Sequence, residues 1–235
     1  MRENFELFNT QHGIILGLCV LATILPILLA KRFVPKHEFK LRLLLSTLIF
    51  GQEIHMWCYR LLDGSYDVLK HLPLHMCGLS ICLMPLMLYT QNKKLFAVLY
   101  FWGMGGATQA LLTPTVNSTT EAFYFYQFFY AHGLIVVCVL YAAFQFRLQL
   151  YFSDLLRAVA TSLAILPVIG LINWLLGSNY FYLAGKPDGK TILDFMGPWP
   201  WYIIPLVGLG FVIFLIVYIP FPISRKLFSQ PQTNT

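Results

Sequence analysis

Charged residues are scarce in this chain. They make up 11% of its 235 residues, against roughly 25% in soluble domains. Hydrophobic residues make up 58%, and the mean hydropathy is +0.68. So few charged side chains exclude an ordinary soluble domain, and the composition therefore predicts an integral membrane protein.

Cysteine motifs are also lacking. The five cysteines are odd in number, no two of them form a CxxC pair, and all lie within or at the ends of apolar runs. These features exclude a disulfide framework of the soluble kind, and most of the thiols are expected to be small buried hydrophobes. Internal repeats and low-complexity linkers are absent as well, so residues 1–235 are predicted to form a single membrane domain.

Long apolar runs are what the chain has instead. Seven of them approach the roughly 20 residues that a bilayer core requires, and the connections between them are short. The sequence therefore predicts an all-α polytopic bundle of seven transmembrane helices. The predicted spans are residues 13–30, 41–62, 73–90, 95–113, 122–146, 153–176 and 199–219. The fourth span carries Gly103, Gly105 and Gly106, a small-residue face that favours close approach of a neighbouring helix.

Basic residues predict the orientation of this bundle. Of the 16 Lys and Arg residues, 11 fall on one side of the membrane if the spans alternate. They are Lys31, Arg32, Lys36, Lys40, Arg42, Lys93, Lys94, Arg147, Arg157, Arg225 and Lys226. The other side holds Arg2, Arg60, Lys70, Lys186 and Lys190. Because the more basic side is cytoplasmic, the N-terminus is expected outside and the C-terminus inside. The basic residues behind the net charge of +6 are then expected to set the topology and to contact anionic lipid headgroups. No nucleic-acid partner is expected.

Polar residues inside the spans indicate where a site lies. Such residues are costly in hydrocarbon and normally face a bundle interior or a wet cavity. With the N-terminus outside, they concentrate in the outward halves of the spans, which predicts one outward-facing polar pocket. Its predicted members are Gln52, Glu53, His55, His75, Cys77, Gln109, Gln127, His132, Asn173 and Tyr180.

A cysteine nucleophile is the first chemistry that this set suggests. Cys77 is expected near the start of a helix that begins at Pro73, where the helix dipole favours a thiolate. His75 is two residues away, which is about 200° around a helix, so the two side chains should point apart. The base for Cys77 must then come from another helix, with His132 or His55 as the candidate and Glu53 or Gln52 to orient it.

Three alternatives stay open. Cys77 and His75 are equally suited to ordinary packing and interfacial roles. Glu53, His55, His75 and His132 could assemble a metal site across helices, although the favoured expectation is that no metal or cofactor is bound. A transporter or receptor pocket is the remaining alternative, in which Glu53 carries protons or neutralises a cation.

Four stretches of the chain resemble a known family. They are LPLHMCGLS, FWGMGGATQALLTP, FFYAHGLIVV and NWLLGSNYFYLAGKPDGKTILDFMGPWPWY, and they are similar to the YwaF family of bacterial integral membrane proteins. The resemblance runs from about Gln52 into the seventh span. It implies about seven membrane helices and a location in a bacterial plasma membrane.

The same family is more distantly similar to a vertebrate membrane acyltransferase that moves polyunsaturated acyl chains onto ether phospholipids. This resemblance implies that Cys77 is a nucleophile and His132 its base. We therefore expect a cysteine-dependent phospholipid acyltransferase that acts through a thioester. Its partners would be membrane lipids, namely an acyl-chain donor and a lysophospholipid acceptor. The alternative is a non-catalytic small-molecule transporter or receptor that uses the same pocket.

Overall fold

The computed structural model describes residues 6–33, 37–116, 120–187 and 191–228. Within these ranges the chain contains helices, turns and loops but no β-strand, which confirms the predicted all-α class there. The helices are α1 (Thr10–Phe33), α2 (Glu38–Leu62), α3 (Met76–Thr90), α4 (Lys93–Trp102), α5 (Thr108–Leu112), α6 (Ala122–Gln145), α7 (Phe152–Leu176), α8 (Ile203–Tyr218) and α9 (Pro220–Phe228). A π-helical turn, Gly103–Ala107, joins α4 to α5, and two 3₁₀ turns, Tyr180–Tyr182 and Ile192–Met196, lie between α7 and α8.

Helices α4 and α6 form the centre of the bundle. Every residue of α4 from Phe96 to Trp102 is buried, and α6 packs against α1, α2, α3, α4 and α5. Helix α7 packs on α4, and α8 packs on α7. In contrast, α1, α7 and α8 bury few of their residues inside the bundle, and their apolar side chains are mostly exposed or half-buried. Exposed apolar helices on this scale are expected where the surrounding solvent is lipid.

Among the residues that the structure describes, five helical segments are long and apolar enough to cross a membrane. They are Thr10–Leu29, Lys93–Leu112, Ala122–Gln145, Phe152–Leu176 and Ile203–Arg225. Together they support an integral membrane protein. Helix α2 is long enough but carries more charge, and α3 has only 15 residues, about 22 Å at the helical rise. The count of seven spans and the orientation of the termini stay predictions. Arg2, Lys36 and Lys190, which contribute to the charge count, lie outside the described residues.

Two helices begin later than the sequence predicts. Helix α3 starts at Met76 and not at Pro73, because His75 adopts an extended conformation (φ −70°, ψ 155°) and serves as the N-cap. Helix α8 starts at Ile203 and not at Trp199, since the residues before it form a turn. Cys77 is therefore the second residue of its helix and lies within the first turn.

Glycines in the π turn allow it to touch two neighbouring helices. A Cβ atom on Gly103 would lie 3.0 Å from the side chains of Ile135 and Val139 on α6. A Cβ on Gly105 would lie 3.2 Å from the ring of Phe214 on α8. Real Cβ contacts are rarely this short, so larger residues would push the helices apart. The small-residue face predicted for the fourth span is thus used for close helix packing.

Gly78, in the first turn of α3, lies against the backbone of the loop that precedes this helix. A Cβ on this residue would lie 2.8 Å from the Cα of Pro73 and 3.0 Å from the Pro73 carbonyl oxygen. The loop that leads into α3 folds back onto the first turn of the helix, and only a residue without a side chain leaves room for it. This contact fixes the loop against the turn that carries Cys77.

We predict that Gly78→Ala destabilises the protein by about 1–3 kcal/mol, because the new methyl group must displace the backbone at Pro73. Gly51→Ala is the matched control, since Gly51 lies within α2 and nothing approaches its Cβ position within 4 Å. It should be neutral or slightly stabilising, as alanine has the higher helix propensity. Thermal unfolding in one detergent measures both variants, and equal midpoints would contradict the prediction.

Candidate functional site

A cavity of about 690 Å³ lies among α2, α3, α5, α6, α7, α8 and the π turn. Six of the ten residues predicted for the polar pocket line it: Glu53, His75, Cys77, Gln109, Gln127 and His132. The other four do not line it: Gln52, His55, Asn173 and Tyr180. The cavity therefore collects polar side chains from several helices into one space, which lowers the cost of holding them in an apolar bundle.

Cys77 lies beside the π turn. A Cβ on Gly106 would be 3.9 Å from the Cys77 Sγ and 3.6 Å from the Met76 Sδ, so glycine leaves free space next to the thiol. The N-cap His75 makes no side-chain bond to the helix. Backbone N–H groups in a first helical turn have no intrahelical acceptor, and they form the positive end of the helix dipole. The thiol is thus close to groups that favour negative charge.

His132 is held in a defined tautomer. Its Nδ1 lies 2.7 Å from the carbonyl oxygen of Phe128. Because a carbonyl oxygen only accepts, Nδ1 must donate its proton, and in the neutral ring Nε2 then carries a lone pair. The Phe128 ring packs against the imidazole, with centroids 4.3 Å apart, and helps to fix its plane. This arrangement provides the acceptor nitrogen that a general base needs.

His75 takes the opposite tautomer. The backbone N–H of Phe181 donates to its Nδ1 at 3.3 Å, so in the neutral ring Nε2 carries the proton. Tyr180 and Tyr182 pack on the ring, with centroids 5.2 and 5.5 Å away. Burial lowers the pKa of His75, which favours the neutral form near pH 7. The two cavity histidines therefore have complementary abilities: His132 can accept a proton, and His75 can donate a hydrogen bond.

An amide chain connects α6 to α2 behind the cavity. The Gln127 Nε2 donates to the Gln52 Oε1 at 2.9 Å, and the Gln52 Nε2 lies 3.4 Å from the Glu53 Oε2. Gln52 thus supports the cavity by hydrogen-bonding two residues that line it. It accepts a hydrogen bond from the Gln127 amide and offers its own amide N–H to the Glu53 carboxylate, which would be unfavourable in an apolar bundle without a partner.

Asn173 and Tyr180 position the loop that leads to Cys77. Asn173 bonds both backbone groups of Tyr180, donating to its carbonyl at 2.9 Å and accepting from its N–H at 2.8 Å. The Tyr180 hydroxyl in turn accepts from the Leu72 N–H at 3.0 Å and donates to the Val68 carbonyl. Hydrogen bonds therefore run from the end of α7 to the loop that precedes α3, although neither Asn173 nor Tyr180 lines the cavity.

His55 does not reach the cavity. It is exposed and packs edge-on against the ring of Phe123, with centroids 5.8 Å apart. The structure therefore differs from the prediction that His55 joins the pocket, because this residue lies on the outer face of α2. In the four ranges that the structure describes, no three His, Cys, Asp or Glu side chains are grouped to hold a metal ion, so the alternative built on Glu53, His55, His75 and His132 gains no support.

Tyr182, and not Tyr180, lines the cavity. Its carbonyl accepts a hydrogen bond from the Tyr202 hydroxyl. Burial raises the pKa of the Tyr182 hydroxyl. The sequence could not separate these two tyrosines, since neighbouring loop residues have no periodicity that assigns a direction to each.

Positive charge lies at the polar end of the cavity. Arg60 and Lys70 both line it, as does His71. The His71 Nδ1 accepts from the Asp67 N–H at 2.9 Å, while burial and the nearby Arg60 lower its pKa. His71 is thus favoured in the neutral form, and the two permanent cations are the groups suited to an anionic ligand.

The comparisons with known proteins identify a family. A family model described as the TMEM164 family matches residues 7–218, which include the whole of α1 to α8. No curated protein and no solved structure matches the chain. The YwaF name and the bacterial plasma membrane expected from the sequence stay predictions.

We predict that Tyr180→Phe loosens the loop before α3 without unfolding the bundle. The variant leaves the Leu72 N–H and the Val68 carbonyl without their partner, and a lost hydrogen bond of this kind costs about 1–3 kcal/mol. Hydrogen exchange read by mass spectrometry should show faster exchange in the segment containing Leu72. Tyr126→Phe is the control, since Tyr126 is 51% exposed. Unchanged protection at Leu72 would contradict this role for the hydroxyl.

Proposed function

We propose that this chain, which belongs to the TMEM164 family, is a membrane phospholipid acyltransferase that carries the acyl group on Cys77. It crosses the membrane seven times with its N-terminus outside, so that the polar end of the cavity faces outward. One observation carries the proposal. A single cavity contains a cysteine, a histidine whose Nε2 is available as an acceptor, and an apolar extension toward α7 and α8.

The first half-reaction forms the thioester. The Cys77 sulfur attacks the ester carbonyl of a donor phospholipid, and the His132 Nε2 accepts the thiol proton. The tetrahedral intermediate collapses with cleavage of the ester C–O bond. His132 returns the proton to the departing oxygen, which leaves S-acylated Cys77 and a lysophospholipid.

The second half-reaction transfers the acyl group to the acceptor. The hydroxyl of a lysophospholipid attacks the thioester carbonyl while the His132 Nε2 accepts its proton. Cleavage of the C–S bond forms the new ester, and the proton passes to the sulfur. The thiol is restored, and the sequence consumes no oxidant, reductant or cofactor.

Hydrogen-bond donors are available for the oxyanion of both intermediates. The His75 Nε2 carries a proton when its Nδ1 accepts from Phe181, and the first turn of α3 supplies backbone N–H groups beside Cys77. Donors fixed before the reaction stabilise a developing negative charge more effectively than mobile water does. Glu53 and Gln127 are proposed as orienting groups, and Gln109 as a further polar contact for the substrate.

A transporter or receptor is the second candidate function. Glu53 contributes a carboxylate to the same cavity, and an intramembrane carboxylate is suited to a cationic ligand or to proton transfer. Such a protein would bind its ligand without forming a covalent bond. A covalent acyl adduct therefore separates the two candidates.

We predict that wild-type protein in lipid nanodiscs takes up the acyl chain of a labelled phospholipid as an adduct that hydroxylamine removes. Cys77→Ser should lose this adduct, because serine forms an ester that resists the reagent. Cys82→Ser is the matched control, since Cys82 lies on the same helix but is not a cavity-lining residue. Acyl transfer by Cys77→Ser at the wild-type rate would remove Cys77 from the mechanism.

We predict that His132→Ala lowers the rate of adduct formation by about a hundredfold or more, which is the usual contribution of a general base. His55→Ala should change the rate by less than about twofold, since His55 faces away from the cavity and surface substitutions have small effects. A stopped-time assay of labelled Cys77 measures both variants. Equal rates for the two would show that His132 is not the base.

A further inference from the structure

The cavity extends from the thiol into an apolar arm between α7 and α8. The arm is lined by Leu163 and Leu166 of α7 and by Val207, Gly210 and Phe211 of α8. The polar exception among the lining residues of these two helices is Ser162, whose hydroxyl accepts from the Trp102 Nε1 at 2.9 Å. The arm therefore offers an aliphatic ligand van der Waals contact and few hydrogen bonds.

The arm begins at the level of Cys77. A Cβ on Gly105 of the π turn would lie 3.2 Å from the side chains of Ile213 and Phe214 on α8, and a Cβ on the neighbouring Gly106 would lie 3.9 Å from the Cys77 Sγ. Gly210 precedes Ile213 by three residues, which is about 4.5 Å along the helix and nearly the same helix face. Gly210 thus lies about one turn from the point where α8 meets the turn beside the thiol.

Gly210 leaves the arm open. It lines the cavity, yet nothing lies within 4 Å of the position that its Cβ would occupy. A side chain there would extend into empty space and would not displace protein atoms. The width of the arm at this level therefore depends on the absence of a side chain at residue 210.

We propose that Gly210 is a specificity-determining residue: it leaves room for a long acyl chain to lie between α7 and α8 while the carbonyl is at Cys77. The occupant is an acyl chain because the arm is apolar and its walls are two helices whose other faces are exposed and apolar. A polar headgroup would stay at the opposite end, near Arg60 and Lys70. This inference rests on the proposed function for its catalytic readout.

The experiment compares Gly210→Phe with Gly208→Phe in the full chain. Gly208 is on the same helix and also has nothing within 4 Å of its Cβ position, but it is exposed and does not line the cavity. Both variants carry the same added bulk, so general effects of phenylalanine on α8 are matched. Gly210→Leu serves as a smaller blocking side chain, with thermal unfolding to verify that each variant is folded.

Cys77 adducts are measured with donor phosphatidylcholines that carry butanoyl or oleoyl chains. Gly210→Phe should lower the adduct from the oleoyl donor by about tenfold or more and that from the butanoyl donor by less than about twofold. Gly210→Leu should give a smaller loss of the same kind, and Gly208→Phe should resemble the wild type. Equal losses with both donors, or no loss with either, would overturn the role of Gly210.

A second readout separates this inference from the proposed chemistry. In the Cys77→Ser background, a phospholipid and a free fatty acid that each carry a diazirine near the chain end are photo-crosslinked. Labelling of α7 and α8 that is lost in Gly210→Phe supports the arm even if no thioester ever forms, and the lipid that labels better identifies the source of the chain. Labelling that does not respond to residue 210 would overturn the arm, even if Cys77 is acylated.

Discussion

The packing of the bundle around the candidate site depends most on glycines, which let the π turn and the first turn of α3 lie close to neighbouring segments. Helices in lipid gain little from burying apolar surface, so they associate through packing that small residues permit. The π turn uses Gly103 and Gly105 to touch α6 and α8, while Gly78 allows the loop at Pro73 to fold against the first turn of α3. These contacts place Cys77 beside Gly106 and leave the space in which chemistry is proposed.

Much of the fold could be predicted from sequence because the cost of exposing polar groups to lipid acts on every span. The apolar runs gave seven helical regions close to the observed ones, and the same cost indicated that Glu53, Gln127 and His132 would share an interior space. The start of α3 could not be predicted, since Pro73 is compatible with a first helical turn and its contact with Gly78 is a tertiary one. The side of α2 on which His55 lies could not be predicted either. This helix has polar residues on more than one face, so the sequence does not show which face lines the cavity.

Backbone hydrogen bonds set different tautomers for the two histidines of the candidate site. His132 bonds a carbonyl within its own helix, which leaves Nε2 as an acceptor, whereas His75 accepts from the loop at Phe181 and keeps a proton on Nε2. Asn173 and Tyr180 connect that loop to α7, so a group outside the cavity helps to hold a group inside it. The same residue type therefore acquires two chemical abilities from backbone partners that no spacing rule in the sequence reveals.

In the proposed mechanism Cys77 reacts with the help of His132, and residue-resolved alkylation is the sharpest test of this pairing. Purified protein is treated with a small thiol reagent across neutral pH, and the modified cysteines are quantified by mass spectrometry. We expect Cys77 to react faster than Cys82 on the same helix, and His132→Ala to slow the reaction of Cys77 alone. A Cys77 that reacts no faster than Cys82, at a rate that His132→Ala does not change, would contradict it.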